Sequence, residues 1–171
     1  MFRPTLANPA QKRTIRPIFA QHQATPYPGF LDPNWNNAFD ILPGTVMARL
    51  QDEIFTPYTQ AAGQLPFGLA ALFKAPGLGI DETTSTGTNL FTVWIGGQDA
   101  VFEVLSPAFD TTANWSAFAT TTGSRPLLTA TTHGLLTPIT GTAPLDAAHA
   151  IAELLSVETT DKILIRLNRF A

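Results

Sequence analysis

Six prolines lie within the first 33 residues of the chain, and they limit its fold more than any other local feature. A proline lacks a backbone amide donor and disfavours helix in the residue before it. The same stretch carries four basic residues and no acidic residue before Asp32. We therefore expect residues 1–40 to form a long extended N-terminal arm.

Large apolar residues are scattered through this arm, although disordered tails are usually poor in them. An extended chain with apolar residues at intervals is suited to lie across the surface of another protein. A disordered tail is the alternative interpretation. The arm residues that we expect to contact a partner are Arg3, Lys12, Arg13, Arg16, Ile18, Phe19, Tyr27, Phe30 and Trp35.

Beyond residue 40 the pattern changes to short runs of β-branched, aromatic and other apolar residues, bounded by turn residues. Two of these runs, 90–95 and 100–105, are separated by the sequence GGQD, which predicts a β-hairpin. The first run is apolar on both faces, which indicates that both faces are covered. The predicted strands are 45–50, 54–59, 67–73, 90–95, 100–105, 127–132 and 162–167.

One helix is predicted, over residues 144–155. Thr142 is a candidate cap, Pro144 suits the first turn, and Asp146 complements the positive end of the helix dipole. The apolar residues of its buried face would be Leu145, Ala148, Ile151, Ala152 and Leu155. The expected fold class is thus mainly β with one α-helix. Residues 41–171 would form the β-rich domain, with a hairpin and loop insertion at about 88–126.

Charged residues make up 13% of the chain, about half of the usual share in soluble domains. A surface so poor in charge indicates that other protein covers part of it. The net charge of -3 argues against a general nucleic-acid-binding protein. No apolar run reaches the length of about 18 residues that a membrane span needs. The absence of cysteine excludes disulfides and thiolate metal sites.

No catalytic or metal-binding motif is recognisable in the sequence. The three histidines, His22, His133 and His149, lack metal-ligand spacing, and no nucleophile elbow is present. The basic residues of the arm would bind nucleic acid only weakly on an acidic protein. We therefore predict a non-enzymatic protein without cofactor, metal or small-molecule substrate. The less favoured alternative is an enzyme or a glycan-binding domain that uses exposed Trp35 or Trp115.

Several short phrases along residues 41–171 resemble those of tailed-phage head decoration proteins, also called capsid cement proteins. In chain order they are ILPGTVMARL, FTPYT, GQLPFGLAALF, GLLTPIT, APLDAAHAIAELL and DKILIRL. The resemblance implies a small β-barrel or β-tulip-like decoration domain that opens at the proline-glycine turn of PGTVM. The arm precedes this domain.

The resemblance also implies a function. The protein would be made in the host cytoplasm and would bind the major capsid protein on the outside of an icosahedral head as a homotrimer, without nucleic-acid or membrane partners. It would stabilise the expanded shell, with the arm as a strap over neighbouring subunits. Ordering such an arm costs about 1 to 2 kcal/mol per residue, which its contacts must offset. A tail-tube, head-completion or spike-base protein is the alternative within the virion.

Overall fold

The computed structural model describes residues 14–35, 38–72, 90–97, 99–116 and 126–167. These ranges contain eleven strands and two short 3₁₀ turns, Gln21–Gln23 and Ala147–His149. The strands are β1 Ile15–Phe19, β2 Pro26–Leu31, β3 Val46–Gln51, β4 Ile54–Pro57, β5 Pro66–Ala70, β6 Leu90–Trp94, β7 Val101–Leu105, β8 Leu127–Ala130, β9 Leu136–Pro138, β10 Ala152–Thr159 and β11 Lys162–Leu167.

The strands form a closed barrel and an open sheet. The barrel has the order β2-β4-β3-β5-β6, and the six-stranded sheet has the order β1-β7-β11-β10-β8-β9. Only the β2–β4 pair is parallel among the ladders of the described strands. The mainly β class with a small barrel, expected from the sequence and the resemblance, is confirmed. Strand β11 has the predicted bounds.

Alternation along β3 divides the apolar residues between two cores. Met47 points into the barrel, whereas Val46 and Ala48 point towards the open sheet. The barrel core consists of Leu31, Ile41, Met47, Phe55, Ala70, Phe91, Val93 and Ile95. The second core lies between barrel and sheet, where residues such as Phe102 and Ile165 are fully buried. The barrel is therefore filled by its own side chains and packs against one face of the sheet.

The predicted arm supplies strands to both layers over its described part. Strand β1 is an edge of the open sheet and pairs with β7, and β2 closes the barrel between β4 and β6. A domain that begins at residue 41 would lack both strands. Residues 1–13 lie outside the described part, and the domain boundary after residue 40 stays a prediction.

The predicted hairpin between 90–95 and 100–105 is wrong. Strand β6 pairs with β2 and β5 in the barrel, whereas β7 pairs with β1 and β11 in the sheet. The glycines that suggested a hairpin turn instead carry the chain from one layer to the other. The Thr25 amide donates to the Gly96 carbonyl at 2.7 Å, and the Ile95 amide donates to the Thr25 carbonyl at 3.0 Å. The two described connections between the layers are thus hydrogen-bonded to each other.

The helix predicted over 144–155 is also wrong. A single 3₁₀ turn, Ala147–His149, is followed by strand β10, in which Ala152 pairs with Leu167 and Leu154 with Ile165. Alanine and leucine favour helices, but their alternation here matches the inward-facing residues of β11. Pairing with β11 and burial of both leucine and alanine outweigh helix propensity. Thr142 is not a helix cap but forms a bridge with Leu145.

Candidate interaction surface

An uncharged row crosses the outside of the barrel. Ile54 of β4 is opposite Phe30 of β2, and Phe30 is opposite Leu90 of β6. Directly paired residues point to the same side of a sheet, and the next residues along, including Leu31 and Phe91, are buried in the barrel core. Phe30 remains 36% exposed and Leu90 66% exposed. We call Ile54, Phe30 and Leu90 the barrel row.

The apolar surface continues from the barrel row along β2 and β6. Pro28 is opposite Thr92, and Pro26 is opposite Trp94. Both prolines are exposed, whereas Trp94 packs against the core between the layers. No charged side chain occurs among these four residues. The surface is therefore uncharged from the barrel row to Pro26 and Pro28, and an uncharged surface with exposed apolar residues is typical of a protein contact.

The prolines of β1 and β2 lie at edge positions. In β2 the amides of Phe30 and Asp32 donate to β4 carbonyls or to the turn before them. Alternation directs the backbone nitrogens of Pro26 and Pro28 to this same side of β2, at positions before the pairing with β4 begins at Phe30. The backbone nitrogen of Pro17 in β1 likewise points away from β7. The Leu105 amide donates to the Thr14 carbonyl, so the backbone polar groups of the even-numbered β1 residues point towards β7. Proline at such positions leaves no amide unpaired and blocks edge-to-edge pairing.

One end of the barrel carries a cation on an aromatic platform. The rings of Tyr27, Phe55 and Phe67 have centroids 5.5 to 5.9 Å apart. The guanidinium carbon of Arg49 lies 5.4 Å from the Phe67 centroid and 5.7 Å from that of Tyr27. Its Nη2 donates to Asp52 Oδ1 at 2.9 Å. We call this arrangement the Arg49 site.

The opposite face of the open sheet carries a buried carboxylate with two cations. Arg16 Nε donates to Glu103 Oε1 at 2.8 Å, and Lys162 Nζ lies 3.5 Å from Oε2. The Glu103 side chain is 8% exposed, whereas that of Arg16 is 69% exposed. Arg16, which we predicted to contact a partner, is thus engaged with its own sheet and joins β1 to β7.

A groove of about 860 Å³ lies beside the edge strand β1. It is lined by Ile18, Phe19, the 3₁₀ turn, Asp99, Val101 and Arg166. Phe19 is 64% exposed, so this predicted contact residue is available to another molecule. The groove combines an apolar wall with one cation and one carboxylate.

The remaining predicted contact residues are divided between core and surface. Trp35 packs against the barrel core, with its ring 4.9 Å from that of Phe39, and Phe39 is 5.3 Å from His133. Tyr27 faces the barrel interior, and Phe30 faces outward. Arg3, Lys12 and Arg13 lie outside the described residues. As contact residues, all of these stay predictions.

The described residues contain little that suggests catalysis. No group of three or more histidines and carboxylates that could hold a metal occurs among them. Trp115, a candidate sugar platform, is buried, and its Nε1 donates to the Asp110 carbonyl at 2.6 Å. A pocket of about 370 Å³ beside it is lined mainly by Thr, Asn, Ser and apolar residues. Among the described residues, none of the helical segments could span a membrane.

One histidine has a defined electrostatic partner. His149 Nδ1 lies 2.7 Å from Asp146 Oδ1, and this hydrogen bond lowers the pKa of the Asp146 carboxyl. The Tyr58 hydroxyl is buried without a hydrogen-bond partner among the described residues. Burial raises the pKa of Tyr58, and the charge of Asp146 adds to the effect. The Tyr58 ring belongs to the core between barrel and sheet.

Comparison with known families decides between the remaining classes. A family model described as phage cement protein matches residues 1–171. The chain belongs to the phage cement protein family. The match includes the N-terminal segment, which lay outside the phrases that carried the resemblance. No match was found among the curated proteins or the solved structures.

Family membership identifies this cement protein as a structural component of a phage capsid. The candidate sites are then contact surfaces, and the barrel row and the Arg49 site are two such candidates. Sequence reasoning selected Phe30 but missed Leu90, Ile54 and Arg49. Alternation within β2 and β6 is visible in the sequence, but the register that places Leu90 beside Phe30 is not.

Proposed function

We propose that this protein binds the major capsid protein on the outer surface of the expanded head and stabilises the shell there. Membership of the phage cement family over the whole chain carries this proposal. The barrel row supports it, because an uncharged outward face of a filled barrel is suited to contact another protein. Synthesis in the host cytoplasm and assembly onto preformed heads follow from such a role.

We further propose that the protein acts as a homotrimer and that residues 1–13 form a strap across neighbouring capsid subunits. Symmetric repetition lets modest contacts add up, because each further contact of a tethered subunit is intramolecular. The sequence supports the strap: residues 1–13 carry Arg3, Lys12, Arg13 and two prolines. The strap is limited to these residues because β1 begins at Ile15 and β2 follows it from Pro26.

The direct test is to add purified protein to expanded heads that lack it and to measure occupancy by cryo-electron microscopy. We expect density at regular positions on the outer lattice, near local threefold axes, and a rise in the temperature at which heads release DNA. Unexpanded heads are the control for specificity. Density on the tail, or heads that remain bare at saturating protein, would contradict the proposal.

The strap is tested by deleting residues 1–13. The remaining chain retains all described strands, so its thermal unfolding should match that of the full chain. Head binding should weaken by roughly 10-fold or more, given that several side chains lose their contacts. A second variant, with Arg3, Lys12 and Arg13 changed to alanine, separates the charges from the chain itself. Equal occupancy for the deletion and the full chain would remove the strap from the proposal.

A further inference from the structure

The Arg49 site has the composition of an anchor for a partner's carboxylate. The guanidinium is held over two rings, and the rings are themselves fixed, because Tyr27 and Phe67 pack against the fully buried Phe55. A planar guanidinium supported in this way loses little conformational freedom when it forms a two-pronged hydrogen bond. The Arg49 side chain is 34% exposed, so part of its donor edge faces solvent.

The present partner of Arg49 is easily replaced. Asp52 lies on the β3–β4 turn, and its side chain is 100% exposed. An ion pair with so exposed a member is weak, because water screens it and solvates the carboxylate equally well outside the pair. A carboxylate on another molecule could take the position of Asp52 Oδ1, 2.9 Å from Arg49 Nη2, while Asp52 turns into solvent.

We propose that Arg49 binds a carboxylate of the major capsid protein and that Asp52 occupies the site until the protein docks. This inference rests on the proposed function for its partner. The surroundings define the chemistry of the ligand: the guanidinium lies against the rings of Tyr27 and Phe67, and Leu50, next in the chain, is 51% exposed. The fitting partner is an acidic side chain set among apolar residues.

The charges near Arg49 favour a single carboxylate over a polyanion as the ligand. Asp52 and Glu53 are both exposed and adjacent in sequence, so the surroundings of the single guanidinium carry two carboxylates. A nucleic-acid backbone would bring several phosphates near them, and a single carboxylate brings one charge. Because Asp52 can rotate away, a single acidic residue is accommodated at small electrostatic cost.

The test compares three full-length variants in binding to purified expanded heads. Arg49→Met keeps an apolar side chain on the rings without the charge and should weaken binding by roughly 10-fold. Arg49→Lys keeps the charge without the planar fork and should have an intermediate effect. Asp52→Asn removes the competing carboxylate and should tighten binding by roughly 2- to 5-fold. Glu158→Gln, an exposed change remote from the barrel, is the matched control.

Two readouts separate this inference from the proposed function. If the wild-type protein does not bind heads, the proposed function fails. If the wild-type protein binds heads and Arg49→Met binds within twofold of it, the proposed function stands and the Arg49 anchor is overturned. Sedimentation of the free variants provides the third outcome. An Arg49→Met variant that loses self-association and binds heads only in proportion to that loss would assign the carboxylate to a second copy, which also overturns the proposal.

Discussion

Gly97 packs against the backbone of Gln23 so closely that no β-carbon fits between them. The contact joins the connection from β6 to β7 with the connection from β1 to β2. Asp99 strengthens it, because its amide donates to Gln23 Oε1 at 2.9 Å. The two passages of the chain between barrel and sheet therefore form one structural unit.

Changing Gly97 to alanine should lower the free energy of unfolding by about 2 to 4 kcal/mol. The added methyl group meets backbone that cannot move without breaking the Thr25–Gly96 hydrogen bond. Gly63→Ala is the matched control, because Gly63 also has a positive φ, +81°, but a β-carbon added there would meet no described atom within 4 Å. Denaturant titration of both variants measures the difference, and equal losses would show that φ strain alone is responsible.

Glu103→Gln should destabilise the fold by about 1 to 3 kcal/mol. The substitution keeps the shape of a buried side chain but leaves Arg16 and Lys162 without their carboxylate. Arg16→Met should cost less than about 1 kcal/mol, because Arg16 is largely exposed. A double-mutant cycle between the two positions, read by urea unfolding, gives the coupling. A Glu103→Gln variant as stable as the wild type would contradict the structural role of this carboxylate.

Asp146 should make the fold sensitive to acid. Its pKa is lowered in the folded protein, chiefly by the hydrogen bond with His149, so its contribution is present above its ordinary pKa of 3.8 and is lost as pH falls through the lowered value. Asp146→Asn keeps a capping side chain for Ala148 but removes the charge. Its melting temperature should fall below that of the wild type at about pH 6, and the gap should close in strong acid. A difference in melting temperature that is constant with pH would show that the charge of the Asp146 carboxylate is not its cause.

Asp40 should have the opposite pH dependence. Its Oδ1 is buried without a hydrogen-bond partner among the described residues, and burial raises the pKa of its carboxyl. A raised pKa means that stability falls as pH rises from 3.8 through the folded-state value. Asp40→Asn should therefore stabilise the protein at neutral pH by about 0.5 kcal/mol, a figure that allows for partial exposure. Calorimetry at several pH values should show that this gain in stability disappears in acid. A gain that persists in acid would show that the charge of Asp40 is not its cause.

Phe30→Ser and Leu90→Ser should each weaken binding to expanded heads by roughly 10-fold, because both side chains are exposed on the barrel row. Leu65→Ser is the control, since Leu65 is 59% exposed and lies outside the row. The Leu90 and Leu65 variants should change the free energy of unfolding by less than about 1 kcal/mol. Full head occupancy by both row variants would show that another surface contacts the capsid.

Much of the local structure was predictable because it depends on short-range patterns. Ile163, Ile165 and Leu167 alternate with Lys162, Leu164 and Arg166, and β11 has the predicted bounds. Prolines in the N-terminal segment indicated extended backbone, which is what β1 and β2 have. The family resemblance was also correct, since the phage cement protein model matches residues 1–171.

The errors arise where contacts between distant segments decide the structure. Pro17, Pro26 and Pro28, three of the prolines that indicated an extended arm, lie at unpaired edge positions of two strands. The glycines after β6 suggested a hairpin, yet they cross between layers. Residues 152–154 have helical propensity, yet they pair with β11. In each case a contact between residues distant in sequence outweighs the local preference.

The sequence by itself determined much of where the chain is extended, and that it can bury a β-rich core, because these follow from proline and two-residue alternation. Only the tertiary structure decided that β6 closes a barrel while β7 joins a sheet, and that Phe30, Ile54 and Leu90 meet on one face. Strand pairing and register depend on hydrogen bonds and packing between distant segments, which a local pattern does not contain. The position of Arg49 over Tyr27 and Phe67 follows from that pairing alone.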